Sequence, residues 1–229
     1  MTGQASWYFV NGLQMVLFPT ILILMLGVSP SNYGLAQVSL LAPSIFLIVL
    51  GGTIADKTDT RILLAIVHFL ASLPLLLILF SIQFGFLSFG VMIIYGLAMG
   101  SISAFVIPSR DALLTTISQG EIQKTVVIAM LTQFGFQLTG MAIGGLADNI
   151  GVMPLIIAQG LSLMVGGYFA LKLPKPNIAK EPLGIRKIKD EILEAFVEVR
   201  ESKEIFPVSI SMIMAVSYTH LTLPTKRIV

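Results

Sequence analysis

Uncharged apolar windows recur along the chain at residues 7–28, 34–55, 61–82, 86–108, 126–147 and 152–171, with short polar breaks between them. About 20 residues rising 1.5 Å each cross the hydrocarbon of a bilayer, so the pattern predicts six membrane-spanning helices. Trp7 and Tyr8 open the first window and Tyr33 precedes the second, where aromatic anchors at a membrane interface are expected. The breaks alternate in character. Ser29–Asn32, 81–85 and 148–151 contain no base, whereas the others hold Lys57 and Arg61, then Arg110 and Lys124, then eight bases from Lys172 to Lys203. Apart from Lys226 and Arg227, every Lys and Arg therefore falls on one side of the membrane. Basic loops stay inside, which places the N-terminus, the 51–61 stretch and the long basic segment in the cytoplasm of a cell that carries the protein in its plasma or inner membrane.

The polarity changes after the sixth window. Residues 1–172 read as a six-helix transmembrane bundle and 173–205 as a cytoplasmic linker. Leu173-Pro174-Lys175-Pro176 ends the sixth helix, because proline cannot continue it. Ile185, Ile188, Ile192, Phe196 and Val199 then recur at helical spacing among Arg186, Lys187, Asp190 and Glu194, which predicts an amphipathic helix on the inner membrane surface. A solvated connector and a regulatory, lipid-sensing element both fit it. Residues 206–215 begin a seventh apolar run. Residues 216–229 resemble the conceptual translation of a transposase-type sequencing adapter, so native sequence is expected to stop near Ala215 and His220, Lys226 and Arg227 to carry no functional weight.

Composition agrees with a membrane protein. The chain has 229 residues, 55% hydrophobic and 11% charged, with a mean hydropathy of +0.92, against about 25% charge in soluble domains. Its net charge of +2 is uninformative because the charges are segregated. The absence of cysteine excludes disulfides, thiolate metal sites and a cysteine nucleophile. The first window follows no Lys or Arg and is too long for a signal-peptide core, so it reads as a retained helix. No HExxH, paired intramembrane aspartates or Ser/His constellation is present, so no enzyme, metal or cofactor is expected. Nucleic-acid binding has no support either, since the bases track a membrane side.

The stretch from Gly51 to Arg61 packs two glycines, two acids and two bases between the second and third windows. Its Gly52-x-Ile54-Ala55-Asp56-Lys57-x-x-x-Arg61 resembles the signature loop of the major facilitator superfamily, Gly-x-Leu-Ala-Asp-Arg-x-Gly-Arg-Lys. Asp59 and Thr60 stand where the family has glycine and arginine. Pro108-Ser109-Arg110-Asp111-Ala112-Leu113-Leu114, and Gly140-x-x-x-Gly144-Gly145 in the fifth window, are similar to the macrolide-efflux and enterobactin-exporter branch. Met141 stands where drug antiporters have proline, and the fourth window lacks their buried arginine. The resemblance implies an all-α membrane protein: a six-transmembrane-helix bundle, one half of a twelve-helix major facilitator fold, plus the amphipathic linker helix. It also implies a missing C-terminal half. The sequence 51–56 ends the second window much as 144–148 ends the fifth, which fits inverted three-helix repeats.

The resemblance implies a secondary active transporter working by alternating access, efflux being the favoured direction. Spans without charge but with amides and many aromatic and methionine side chains suit a small amphipathic organic solute better than a phosphorylated sugar or an inorganic anion. A non-transporting sensor or scaffold on the same fold is the alternative. Gly51, Gly52, Asp56, Lys57 and Arg61 would form a conformational-switch loop, or else merely fix topology. The glycines at 51, 52, 140, 144 and 145 suit close helix packing. Asn11 and Gln14 share one face of the first helix, and Gln133 and Gln137 one face of the fifth. These four are the candidate substrate contacts, with helix–helix hydrogen bonding as the other reading; Gln37 and Gln159 are weaker candidates. His68, in the third window, is read as a structural hydrogen-bonding group with a proton relay as the alternative. Arg110 reads as a topology or gating residue. Protons are the candidate coupling ion, but no Asp, Glu, Lys or Arg lies well inside any window, so a coupling group would sit in the missing half or be His68 or Asp56, or there is none.

Overall fold

In the computed structural model the described residues are 2–117 and 122–173. They form helices and turns, with no strand among them. Helix α1 runs over Thr2–Pro19 and continues as a π turn over Thr20–Met25; α2 is Pro30–Lys57, α3 Thr60–Gln83, α4 Phe89–Ile117 and α5 Ile122–Gly144. The short α6, Ala147–Ile150, leads into α7, Val152–Leu171. Six of these are long and apolar enough to cross a membrane, as the windows predict. The linker beyond Leu173, the seventh run and the tail lie outside the described residues.

Local chemistry explains the breaks. Ser29 caps α2, its hydroxyl accepting from the Asn32 N–H at 3.4 Å, with Pro30 in the first turn where no donor is needed. Gly85 ends the α3 turn at φ 72°, a backbone state that glycine adopts without strain. Pro19 has no N–H to donate, and the π turn that follows it closes through Leu26 N–H to Ile21 O at 3.0 Å.

Two boundaries and one side-chain placement differ from the sequence reading. The Gly51–Lys57 part of the 51–61 stretch is helical, so only Thr58 and Asp59 separate α2 from α3. Helix α4 runs on through Pro108 to Ile117, which puts Arg110 on a helix and not in a loop; neighbouring helices let a membrane helix absorb an internal proline. Trp7 is no interface anchor. It is buried on the α1 face that also carries Val10, Leu13 and Leu17, edge-on to His68 with ring centroids 5.7 Å apart.

Packing follows a simple scheme. Helix α1 lies against α5 and α7, α3 against α4 and α7, and α2 against α4. Exchanging α1 with α4, α2 with α5 and α3 with α7 interchanges α1–α5 with α2–α4 and α1–α7 with α3–α4, and leaves α3–α7 as it is. That is the relation expected of two inverted three-helix repeats. Glycines make close approaches between these helices. A Cβ on Gly12 of α1 would overlap the Gln137 carbonyl of α5, and one on Gly140 of α5 would overlap the Phe9 carbonyl of α1. Gly51 of α2 meets the Ala104 carbonyl of α4, and Gly100 of α4 meets the Leu40 carbonyl of α2, in the same way. Where lipid replaces water, such backbone contact is a main source of helix association.

Helix α7 is tied in by polar bonds. Gln159, buried, donates to the Val10 carbonyl at 3.2 Å. Arg61 at the start of α3 donates to the Leu173 carbonyl at 3.0 Å, just past the end of α7. Lys57, Arg61, Arg110, Lys124 and Lys172 thus all lie toward the one end of the bundle where α2, α4 and α7 finish and α3 and α5 begin.

Candidate functional site

Helices α1, α2, α4 and α5 surround a cavity of about 320 Å³. Its polar lining comes from Asn11 and Gln14 on α1, Gln133 on α5, Ser44 on α2 and Ser103 on α4, set among apolar residues such as Leu40 and Met99. Pockets that hold small organic molecules commonly have this make-up, mostly apolar with a few placed polar groups.

Three of the four predicted amides therefore line one space, and the fourth stands behind it. Gln137 donates to the Asn11 side-chain oxygen at 3.1 Å and lies 3.2 Å from the Met15 sulfur. That pair realises the helix–helix reading, tying α1 to α5. Gln14 is nearly buried and has no hydrogen-bond partner among the described residues, so its amide is open to the cavity. Gln37 bonds Tyr33 of its own helix at 2.8 Å, and Gln159 is spent on α1.

Two of its lining residues, Tyr8 and Gln133, belong to a cluster that sequence reasoning did not anticipate. Arg110 donates through Nη1 to the Tyr8 hydroxyl and, at 3.3 Å, to Gln133 Oε1, with its guanidinium 5.6 Å from the Tyr8 ring centre. Its Nε and Nη2 both reach Asp111 Oδ1, at 2.9 and 2.6 Å. The cluster bridges α1, α4 and α5, and α4 and α5 scarcely meet elsewhere. Beyond it lies a second cavity of about 210 Å³, with Gln4, His68 and Arg110 among apolar residues that include Leu64, Leu113 and Leu173. Trp7 and Tyr8 line both cavities. The pairing of Arg110 with Tyr8 spans 102 residues of sequence, and no local signal pointed to it.

His68 is buried in the wall of the second cavity, its Nδ1 2.7 Å from the Leu64 carbonyl and its Nε2 3.0 Å from the Gly3 carbonyl. The ring links the first turn of α1 to α3, which supports the structural reading. Gly166 of α7 packs so closely that a Cβ there would press on Ser6 and the imidazole.

The 51–61 stretch divides into separate roles. Asp59, where the resembled pattern has glycine, caps α3 by accepting from the Arg61 N–H at 3.1 Å. Its carboxylate also takes a two-point contact from the Arg61 side chain, Nε at 3.0 Å and Nη2 at 2.7 Å. These hydrogen bonds from Arg61 hold the Asp59 carboxyl below the usual carboxylate range. Asp56 is exposed at the last turn of α2. Gly52 faces open space and Gly145 meets only carbonyls of its own turn, so of the five predicted packing glycines Gly51, Gly140 and Gly144 pack against another helix.

Among the described residues no group of His, Asp and Glu could hold a metal ion. A family model described as Major Facilitator Superfamily matches residues 1–227. No curated protein and no solved structure matches the chain.

Proposed function

The chain belongs to the Major Facilitator Superfamily, a family of membrane transporters, and on that footing we propose that it moves a small amphipathic organic solute by alternating access. The observation that carries this reading is the cavity between α1, α2, α4 and α5, apolar in the main and furnished with Gln14, Asn11 and Gln133. Polar side chains in a membrane helix are costly and turn toward protein or water; an amide without a partner among the described residues, as at Gln14, suits a solute that arrives and departs.

In this reading a second, C-terminal half completes the cavity. Support comes from α2 and α5, the least buried of the long helices, which expose Ile45, Phe46, Leu131 and Leu138. Asp56, exposed at the end of α2, is then placed to face the positive end of a helix in that half, so that the 51–61 stretch steadies one state of the transport cycle. The basic end of the bundle is cytoplasmic, the membrane is the cell membrane, and transport runs outward. The similarity to the macrolide-efflux and enterobactin-exporter branch rests on 108–114 and 140–145. Residues 216–229 are read as adapter-derived; a long sequencing read across the codon for Val216 that reproduces them would overturn that point.

Transport is tested in cells expressing the full-length protein, this chain together with its C-terminal half, with a panel of fluorescent amphipathic solutes. Lower accumulation than in cells expressing the Gln14→Ala, Gln133→Ala double variant is the expected result. Equal accumulation of every solute by the two would count against the reading.

A further inference from the structure

We propose that the solute site recognises an anion: Arg110 and Tyr8 form a binding point for the negatively charged head of an amphiphile whose apolar part lies in the adjoining cavities. The proposal narrows the solute class and rests on the transporter reading above.

Arginine is always charged, and its fork of donors matches a carboxylate or phosphate. Here it lines one largely apolar cavity, and its partners Tyr8 and Gln133 line the other, with no Asp or Glu among the described residues that line either one. Its one acidic partner, Asp111, is 54% exposed and occupies Nε and one Nη2 hydrogen from the outer side. Both Nη1 hydrogens go to neutral acceptors, Tyr8 and Gln133. One Nη2 hydrogen and the Tyr8 hydroxyl proton remain without an acceptor among the described residues. Two unspent donors, one of them charged, thus meet where the cavities adjoin. Asp111 already neutralises the guanidinium from its more exposed side, but it leaves these two donors unused, and a bound carboxylate would take both. The neutral Gln133 contact is the weaker bond and the one an anion would displace. The three-helix bridge then opens as the ligand binds.

Trp7 is the only tryptophan in the chain and lies on the wall of both cavities, so it reports occupancy directly. The full chain in zwitterionic nanodiscs would be titrated with octanoate, octan-1-ol and octylammonium while Trp7 emission is followed. Octanoate should saturate at a concentration about tenfold or more below octan-1-ol, the scale of a charge-assisted hydrogen bond. Octylammonium should bind most weakly. Arg110→Gln should bring octanoate to the level of octan-1-ol, Arg110→Lys should keep part of the preference, and Tyr8→Phe, which leaves packing intact, should reduce it. Octan-1-ol matching octanoate in the unaltered chain would overturn the anion site yet leave a neutral-solute transporter standing. An undiminished preference in both Arg110→Gln and Tyr8→Phe would overturn it as well.

Discussion

Gly51 of α2 lies against the carbonyl oxygen of Ala104 on α4, with no room for a methyl group between them. Ala104 is four residues before Pro108, whose nitrogen carries no hydrogen, so this carbonyl lacks its usual helical donor. The missing side chain on one helix and the missing donor on the other occupy the same spot, where a Cα–H···O contact is the natural replacement.

Gly51→Ala should therefore force α2 and α4 apart, at a cost of about 1–3 kcal/mol as for other overpacked contacts. Gly52→Ala, one residue on and facing open space, should be neutral or slightly stabilising, because alanine favours helix. Thermal unfolding of the two purified variants in one detergent separates them. Equal melting points would show that the close approach contributes nothing.

Asn11 and Gln137 join α1 to α5, and their neighbours Gln14 and Gln133 face the cavity. Asn11→Ala and Gln137→Ala should each destabilise by about 0.5–1.5 kcal/mol, with the double variant little worse than either single one. Gln14→Ala should leave the melting point nearly unchanged and weaken solute binding. Additive losses at Asn11 and Gln137 would argue that the bond is absent in the membrane.

Asp59 has a lowered carboxyl pKa because Arg61 bonds its charged form. For a depressed acid, the stabilisation is fully present above the unfolded value, near 3.8, and fades as pH falls through the lower folded value. Melting points should then be unaffected by this group from pH 8 to pH 5 and decline below about pH 4. Asp59→Asn should flatten that part of the decline. An unchanged acid limb in the variant would remove Asp59 from the account.

Much of the fold was legible because the bilayer imposes a length that any apolar run must meet. The six spans and the placement of basic residues at one end follow from that constraint alone. Which face of each helix turns inward was less legible. Trp7 read as an interface anchor because its position near a helix start fits one, yet its helical register with Val10 and Gln14 carries it into the core. The shared faces of Asn11 with Gln14 and of Gln133 with Gln137 were visible from spacing; that one pair would bond and the other amides line a cavity was not. Contacts such as Arg110 with Tyr8, or Arg61 with the Leu173 carbonyl 112 residues away, depend on tertiary packing that no local pattern encodes. Asp59 looked like a departure from a glycine turn, and in the folded chain it is the helix cap.

The central claim is that the α1, α2, α4 and α5 cavity is a water-accessible path for solute, and the chain's lack of cysteine makes it directly testable. Single variants Gln14→Cys, Ser103→Cys and Gln133→Cys would be exposed to a membrane-impermeant maleimide in vesicles of both orientations, beside Leu161→Cys on the outer face of α7, where Leu161 is 58% exposed. The account expects the three cavity positions to label, buried as Gln14 is, and Leu161→Cys to stay unreactive in lipid. Cavity cysteines that resist the reagent from both sides, or that react no faster than Leu161→Cys, would contradict it.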